Sequence, residues 1–152
     1  MVEIVLVPSP LLGPASMQPL AEAFAAAGAA AEVVPLEDNG EPSFATQHIA
    51  SVAVALDGRQ GVTLLGHSGA GPLLPAIAAE AEPAVASLVF VDAGLPYGTD
   101  DRMALFERES GPGGRAQLFD YLEKHGAFPR WSDEEIAPLV PDPTLRRAIL
   151  AE

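Results

Sequence analysis

No cysteine occurs anywhere in the 152 residues. Disulfides, thiolate metal sites and a cysteine nucleophile are therefore excluded. Basic residues are scarce: 8 Lys and Arg stand against 21 Asp and Glu, giving a formal net charge of −13. A phosphate-binding surface needs clustered Lys and Arg, so nucleic acid is not an expected partner. No apolar run reaches the roughly 18 residues of a membrane-spanning helix, and no membrane is expected either. The opening MVEIVLV has no basic stretch ahead of its short apolar run. It does not read as a signal peptide, and the cytoplasm is the expected compartment. Histidine is rare too. His48, His67 and His125 are too far apart for i, i+3 or i+4 pairing, a poor ligand set for a metal, so no metal or other cofactor is expected.

What remains is ample apolar material, 49% of the chain, with 15 Pro and 14 Gly as punctuation. That composition suits one globular domain. Charge is spread unevenly. Residues 1–96 contain one basic residue, Arg59, whereas residues 97–152 contain seven. The chain divides into an Ala-rich, low-charge body and a charged segment, joined at Pro96–Gly98.

The body alternates strand and helix signals. Glu3–Val7 is a short β-branched run ended by Pro8, as expected of a buried strand. Pro8–Pro14 is a loop. Ser16 is the expected N-cap of a helix carrying Met17, Leu20, Phe24 and Ala27, and Gly28 is its stop. Ala31–Pro35 predicts a second strand. Ser43 caps a second predicted helix with Phe44, Val52 and Leu56 on one face and Ile49 at its edge. Val62–Leu65 predicts a third strand, Gly66–Gly71 a glycine-rich turn, Leu73–Glu80 a helix and Ala86–Val91 a fourth strand. Pro75 predicts a distorted start to that third helix. Strands joined by helices imply parallel pairing through right-handed crossovers. The expected fold is α/β: a doubly wound, mainly parallel four-stranded sheet of order 2-1-3-4, covered on both faces. Its switch point lies between strands one and three, where Pro8–Pro14 and Gly66–Gly71 face each other.

Residues 97–152 predict helices. One opens at Thr99 and runs to about Glu109, Gly111–Gly114 breaks it, and Arg115–His125 follows. Ser132 with Glu135 forms a capping box. Asp142 followed by Pro143 signals another helix start.

The chemistry concentrates in Val62–Gly71, VTLLGHSGAG. A buried strand enters a tight turn with Ser68 at its apex, and a helix leaves it. The stretch resembles the nucleophile elbow of the α/β-hydrolase superfamily. Such a serine stands on strained backbone, so the residues two before and two after must be small; Gly66 and Ala70 are. An ordinary glycine-rich turn is the alternative. A phosphate loop is disfavoured, because neither G-x-x-x-x-G-K-[ST] nor G-x-G-x-x-G is present and no Lys is near. The resemblance runs from residue 1 to about residue 96 and includes VFVDAGLP, Val89–Pro96. Residues 97–152 then resemble the helical cap of small esterase-like members.

The resemblance implies a serine hydrolase acting on a small ester or thioester. Ser68 is its nucleophile, and Gly69 N–H is an oxyanion donor at the positive end of a helix dipole. The superfamily often places the second donor in a His-Gly-x segment after the first matched strand. Pro8-Ser9-Pro10 occupies that place here. Pro10 has no N–H, so Leu11 N–H is the expected donor if the loop shifts by one residue. Pro10, Leu11, Leu12 and His67 are the expected substrate pocket. Phe106, Phe119, Tyr121, Phe128 and Trp131 either line it or pack the cap. Asp92 ends the fourth strand and is the candidate acid.

The superfamily's triad runs Ser, then Asp or Glu, then His, and its histidine follows the last strand. Two closing strands and that histidine have no counterpart up to Glu152. His67 adjoins Ser68 in a tight turn, where neighbouring side chains point apart. His48 reads as a hydrogen-bonded, partly buried histidine, and His125 suits a helix C-terminus. The site is therefore catalytically incomplete as it stands. The alternative is a non-catalytic binding module for a small molecule or a protein on the same fold. Ser87–Val91 becomes an apolar sheet edge, open to a second copy or to another polypeptide. The intact mass of the protein from its source cell tests these expectations. A mass above 15.7 kDa is the outcome expected if the missing strands and histidine lie beyond Glu152, and 15.7 kDa that of a natural short form.

Overall fold

A computed structural model describes residues 3–96, 102–126 and 128–152. The joint at Pro96–Gly98 and the helix start at Thr99 lie largely or wholly outside them. Strands β1 (Glu3–Val7), β2 (Ala30–Val33), β3 (Val62–His67) and β4 (Val85–Val91) form one four-stranded sheet of order β2-β1-β3-β4. Every pairing is parallel, as the strand-helix alternation implies.

Side chains alternate across β1 and divide the core into two layers. Val5 and Val7 pack with Val52 and Leu56 of the helix α2 (Phe44–Ala55) and its end, and with Leu74 and Ile77 of α3 (Leu74–Glu80). Ile4 and Leu6 face the other way, against Met17 and the helix α1 (Gln18–Ala26), which contributes Leu20 and Phe24. At the amino edge of the sheet, Arg59 Nη1 donates to Glu3 Oε1 at 2.9 Å and to Glu32 Oε2 at 2.8 Å. The body's lone cation thus ties β1 and β2 together.

Several local readings change. Ser16 is no helix cap: its hydroxyl donates back to Gly13 O at 2.7 Å, inside a 3-10 turn at Pro14–Met17 that precedes α1. Ser43 sits at the N-cap position of α2, but its hydroxyl pairs with Thr46 Oγ1 at 2.8 Å rather than with a backbone amide. The buried positions within α2 are His48 and Val52, and Phe44, one turn before His48, is 45% exposed. Strand β3 runs two residues further than expected, to His67. The distorted start of α3 is a 3-10 segment, Ser68–Leu73, that contains Pro72.

Coverage of the sheet also departs from expectation. Leu88 and Phe90 of β4 pack into the α2–α3 layer. On the opposite face, Val89 and Val91 are 38% and 37% exposed. The charged segment instead gathers beside the carboxyl ends of the strands. It comprises α4 (Arg102–Ser110), α5 (Gly114–His125), α6 (Asp133–Ile136) and α7 (Pro143–Leu150). Helix α7 packs on the 3-10 turn after β1, where the Glu152 carboxylate accepts from Ala15 N–H at 3.0 Å. Among the described residues, β4 pairs only with β3 and leaves its far edge unpaired. No helix among them is long and apolar enough to cross a membrane.

Carboxylates hold α6 and α7 in place. Ser132 and Glu135 form the expected capping box, and Asp142 Oδ1 accepts from Thr144 and Leu145 N–H at 2.7 and 3.2 Å. Asp133 receives Arg146 Nε at 2.7 Å. Arg146 lowers the Asp133 carboxyl's proton affinity. The Ser132 amide does the same for Glu135, and the Leu145 and Thr144 amides for Asp142. Carboxyls held below their ordinary values stabilise the fold above those values and lose that contribution as pH falls through the depressed ones. Trp131 directly precedes Ser132 and is the chain's one tryptophan. Its emission is expected to shift once the pH drops below about 4, and Asp133→Asn to diminish the shift. A pH titration followed by tryptophan fluorescence checks both.

Candidate functional site

Ser68 stands where β3 ends. Its φ is +52°, a left-handed conformation that L residues avoid. Packing enforces it. A Cβ on Gly66 would lie 2.9 Å from both Leu74 methyls, and Leu74 is fully buried. A Cβ on Gly71 would collide with the carbonyl oxygen of Gly94 and lie 2.9 Å from Ala93 Cβ. Ala70 is fully buried between these contacts. The turn is therefore clamped between α3 and the segment after β4. Gly94 N–H donates to Ser68 O at 3.3 Å and completes the clamp.

Ser68 and Gly69 line a cavity of about 430 Å³ with Asp92, Ala93, Gly94, Leu95 and Glu109. Asp92, the expected acid, thus shares a wall with the expected nucleophile. It too is left-handed, with φ +43°. Glu109 reaches this cavity from α4. Sequence reasoning missed it, because nothing around it in a charged helix distinguishes it from its acidic neighbours. Gly69 is the second residue of the 3-10 segment, where the first amides have no partner within the helix.

The loop after β1 arranges itself differently from the expected donor geometry. Leu11 N–H donates to Ser9 Oγ at 3.3 Å, and Leu12 and Gly13 N–H both donate to Ser9 O at 3.1 Å. Three successive amides therefore turn inward on Ser9, which is buried. The expected pocket residues part company here. Pro10 and Leu11 line a cavity of about 260 Å³ with Ser9, Asp38 and His48. Leu12 and His67 line another of about 780 Å³, walled by α6, α7 and the residues between them. Of the five cap aromatics only Trp131 joins that wall. Tyr121 instead packs edge-on against Phe128 with centroids 5.5 Å apart, and Arg115 lies 5.6 Å from the Phe119 ring centre.

The histidines fall as their positions imply. His48 is buried, and its Nε2 pairs with Asp38 Oδ2 at 2.8 Å, a contact that lowers the Asp38 carboxyl's proton affinity. His125 ends α5 and stacks on Tyr121 with centroids 4.3 Å apart. His67 belongs to the wall of a different cavity from Ser68. Among the described residues, no hydrogen bond joins Ser68 to a histidine, and no group of three His, Asp or Glu is placed to hold a metal.

The clamp makes one substitution diagnostic. Gly71→Ala is expected to lower stability by about 1–3 kcal/mol, because the added methyl meets backbone rather than a movable side chain. Gly28→Ala is the converse case: its backbone is left-handed at φ +81° and a Cβ there meets open space, whereas Gly71 is not left-handed and its cost is the clash alone. Urea denaturation of the two variants compares them.

No protein-family model matches the sequence, and no curated protein resembles it. Solved structures do. An extracellular α/β-hydrolase from a Paenibacillus species is described as sharing structural and functional homology with tobacco salicylic acid binding protein 2. It matches with a TM-score of 0.72 at 14% identity, over 99% of this chain and 65% of its own. A mutant of polyneuridine aldehyde esterase matches with a TM-score of 0.57 at 22% identity, over 73% of this chain and 48% of its own. This chain thus spans less than two thirds of the length of either. With the sheet order, the strand-end serine and these matches together, the chain has the α/β-hydrolase fold, represented by four parallel strands and the helices about them.

Proposed function

We propose that this chain is the nucleophile-bearing part of a serine hydrolase that acts on a small ester or thioester. One observation carries the reading: Ser68 is held at φ +52° between Gly66 and Ala70, at the mouth of a cavity. Left-handed strain at a serine is unfavourable, and it persists where the surrounding structure over-determines it. In the proposed reaction, Ser68 Oγ attacks the substrate carbonyl and Gly69 N–H receives the developing oxyanion. Asp92 is the proposed acid. Glu109 adds a second carboxylate to the same wall. An acid alone does little for a serine nucleophile without a histidine between them. Turnover therefore needs a histidine-bearing segment, in the same polypeptide or supplied in trans.

A second reading has its own support. Leu11 N–H is occupied by Ser9 Oγ, and Pro10, in the usual donor place, has no N–H. Losing one oxyanion donor typically costs about 10²–10³ in rate. A binding module that retains the turn without the chemistry fits that loop.

Labelling with a fluorophosphonate probe separates the two when it is done on the protein as its source cell produces it, with any histidine-bearing segment or partner present. The hydrolase reading expects Ser68 to be labelled and Ser68→Ala to lose all label with little change in stability. Label retained in Ser68→Ala would assign the reactivity to another residue. Ser68→Gly is expected to lose the label as well, while gaining about 1 kcal/mol of stability from relief of the left-handed strain. Thermal denaturation reads the second effect.

A further inference from the structure

The chain holds a single asparagine, Asn39, and a glycine follows it. The pair lies in the loop between β2 and α2, and both residues are exposed. Neither lines the cavity of Ser68. We propose that Asn39–Gly40 is a site of spontaneous covalent self-modification. The Gly40 nitrogen attacks the Asn39 side-chain amide, ammonia leaves, and water opens the resulting succinimide to aspartate or isoaspartate.

The bond changes balance with water as the only co-reactant. The bond from Gly40 N to Asn39 Cγ forms, and the Cγ–Nδ2 bond breaks. The proton lost from Gly40 N leaves with the ammonia. Water then adds at Cγ, which restores the ordinary chain as aspartate, or at the Asn39 backbone carbonyl, which leaves the chain running through Cγ as isoaspartate. The reacting groups are open and polarised. Gly40 is left-handed at φ +79°, and even a Cβ built on it would meet nothing within 4 Å, so its nitrogen is unhindered. Asn39 Oδ1 accepts from Glu41 N–H at 2.9 Å, which sets a donor where negative charge develops during the attack. Asn39 Nδ2, the leaving group, has no hydrogen-bond partner among the described residues. Gln47 of α2 brackets the turn: its Oε1 accepts from Asn39 N–H at 2.9 Å and its Nε2 donates to Glu41 O at 2.7 Å.

Asp38 acts as the brake. Gly40 N–H donates to Asp38 Oδ1 at 2.9 Å, and Asp38 Oδ2 pairs with Nε2 of the buried His48 at 2.8 Å. To attack, the Gly40 nitrogen must give up this bond and its proton. A carboxylate beside it disfavours the anion that forms. The bonds from His48 and Gly40 hold the Asp38 carboxyl below its ordinary value, so the brake is ionised at neutral pH. Loosening Asp38 releases the nucleophile. The rate at Asn39 therefore depends on a side chain that takes no part in the bond changes, and it is independent of whether Ser68 is reactive.

The test incubates the full chain at mildly alkaline pH and follows it by peptide mapping with mass spectrometry. Deamidation adds the mass difference between an amide and an acid, whereas isomerisation at Asp57–Gly58 adds none. The peptide carrying Asn39 is expected to gain that mass and to resolve into aspartate and isoaspartate forms. Its rate is expected to lie within about tenfold of that in the urea-unfolded chain. Asn39→Gln is expected to abolish the gain. Asp38→Ala is expected to speed conversion about threefold or more in the folded chain, and to leave the rate in urea unchanged. Circular dichroism checks that this variant is folded. Asp38→Glu keeps a carboxylate near His48 but not the short reach to Gly40 N–H, and is expected to act in the same direction. Three results would overturn the proposal: no mass gain at Asn39 in the folded parent, aspartate formed without isoaspartate, or conversion no faster in either folded Asp38 variant than in the parent.

Discussion

Gly71 lies so close to the carbonyl of Gly94 that no side chain fits between them, and Gly66 lies as close to Leu74. These two approaches bring the end of β3, the start of α3 and the segment after β4 into one tight junction. Ser68 has no room there to continue the strand or to begin the helix in an ordinary way, and it takes left-handed backbone instead. The energy that holds it there comes from beneath. Leu74, Ile77, Leu64 and Val62 are fully buried in the same layer. Burying one such side chain contributes roughly 1.5–3 kcal/mol, against about 1–2 kcal/mol for a left-handed residue.

The same junction decides which edge of the sheet is available for chemistry. Parallel strands all end on one side, and the turns after β1, β3 and β4 meet there with α6 and α7. Negative charge dominates this edge: Asp92 and Glu109 beside Ser68, and Glu135 and Asp142 in the neighbouring apolar cavity. Arg59, the body's lone basic residue, is spent at the opposite edge on Glu3 and Glu32. Among the described residues, no Lys or Arg lines either cavity, and Arg146 meets the larger one only through the Val140 and Pro141 carbonyls. The outer face of β4 is a separate matter. Val89 and Val91 remain partly exposed there, and the strand's far edge keeps unpaired backbone groups, the kind of surface that invites pairing.

Much of this was legible in the chain before any coordinates. Glu3–Val7 and Val62–Leu65 are too short and too β-branched to be helices. Gly66 and Ala70 flank Ser68 at the spacing a strained serine needs, and S-x-x-E at Ser132 announces its own capping box. Each of these signals is local. The readings that failed were those in which a local signal competed with a tertiary one. Ser16 could cap a helix, but Pro14 starts a 3-10 turn earlier and the hydroxyl turns back to Gly13. Phe44 shares a helical face with Val52, but burial on α2 begins only at His48, one turn later.

Strand order, parallel pairing and the place of the serine follow from periodicity and from where glycine and proline interrupt it, because those constraints act over a few residues. The partners across the site obey no such rule. Nothing near Glu109 shows that it will stand over Gly94, and nothing near Leu12 shows that it will share a cavity with Trp131. Three amides after β1 fold back on Ser9 instead of facing the serine turn, and the same loop is tied at Ala15 to the Glu152 carboxylate. Leu12 with Trp131 and Ala15 with Glu152 are more than a hundred positions apart, and only the packed chain brings them within reach of one another.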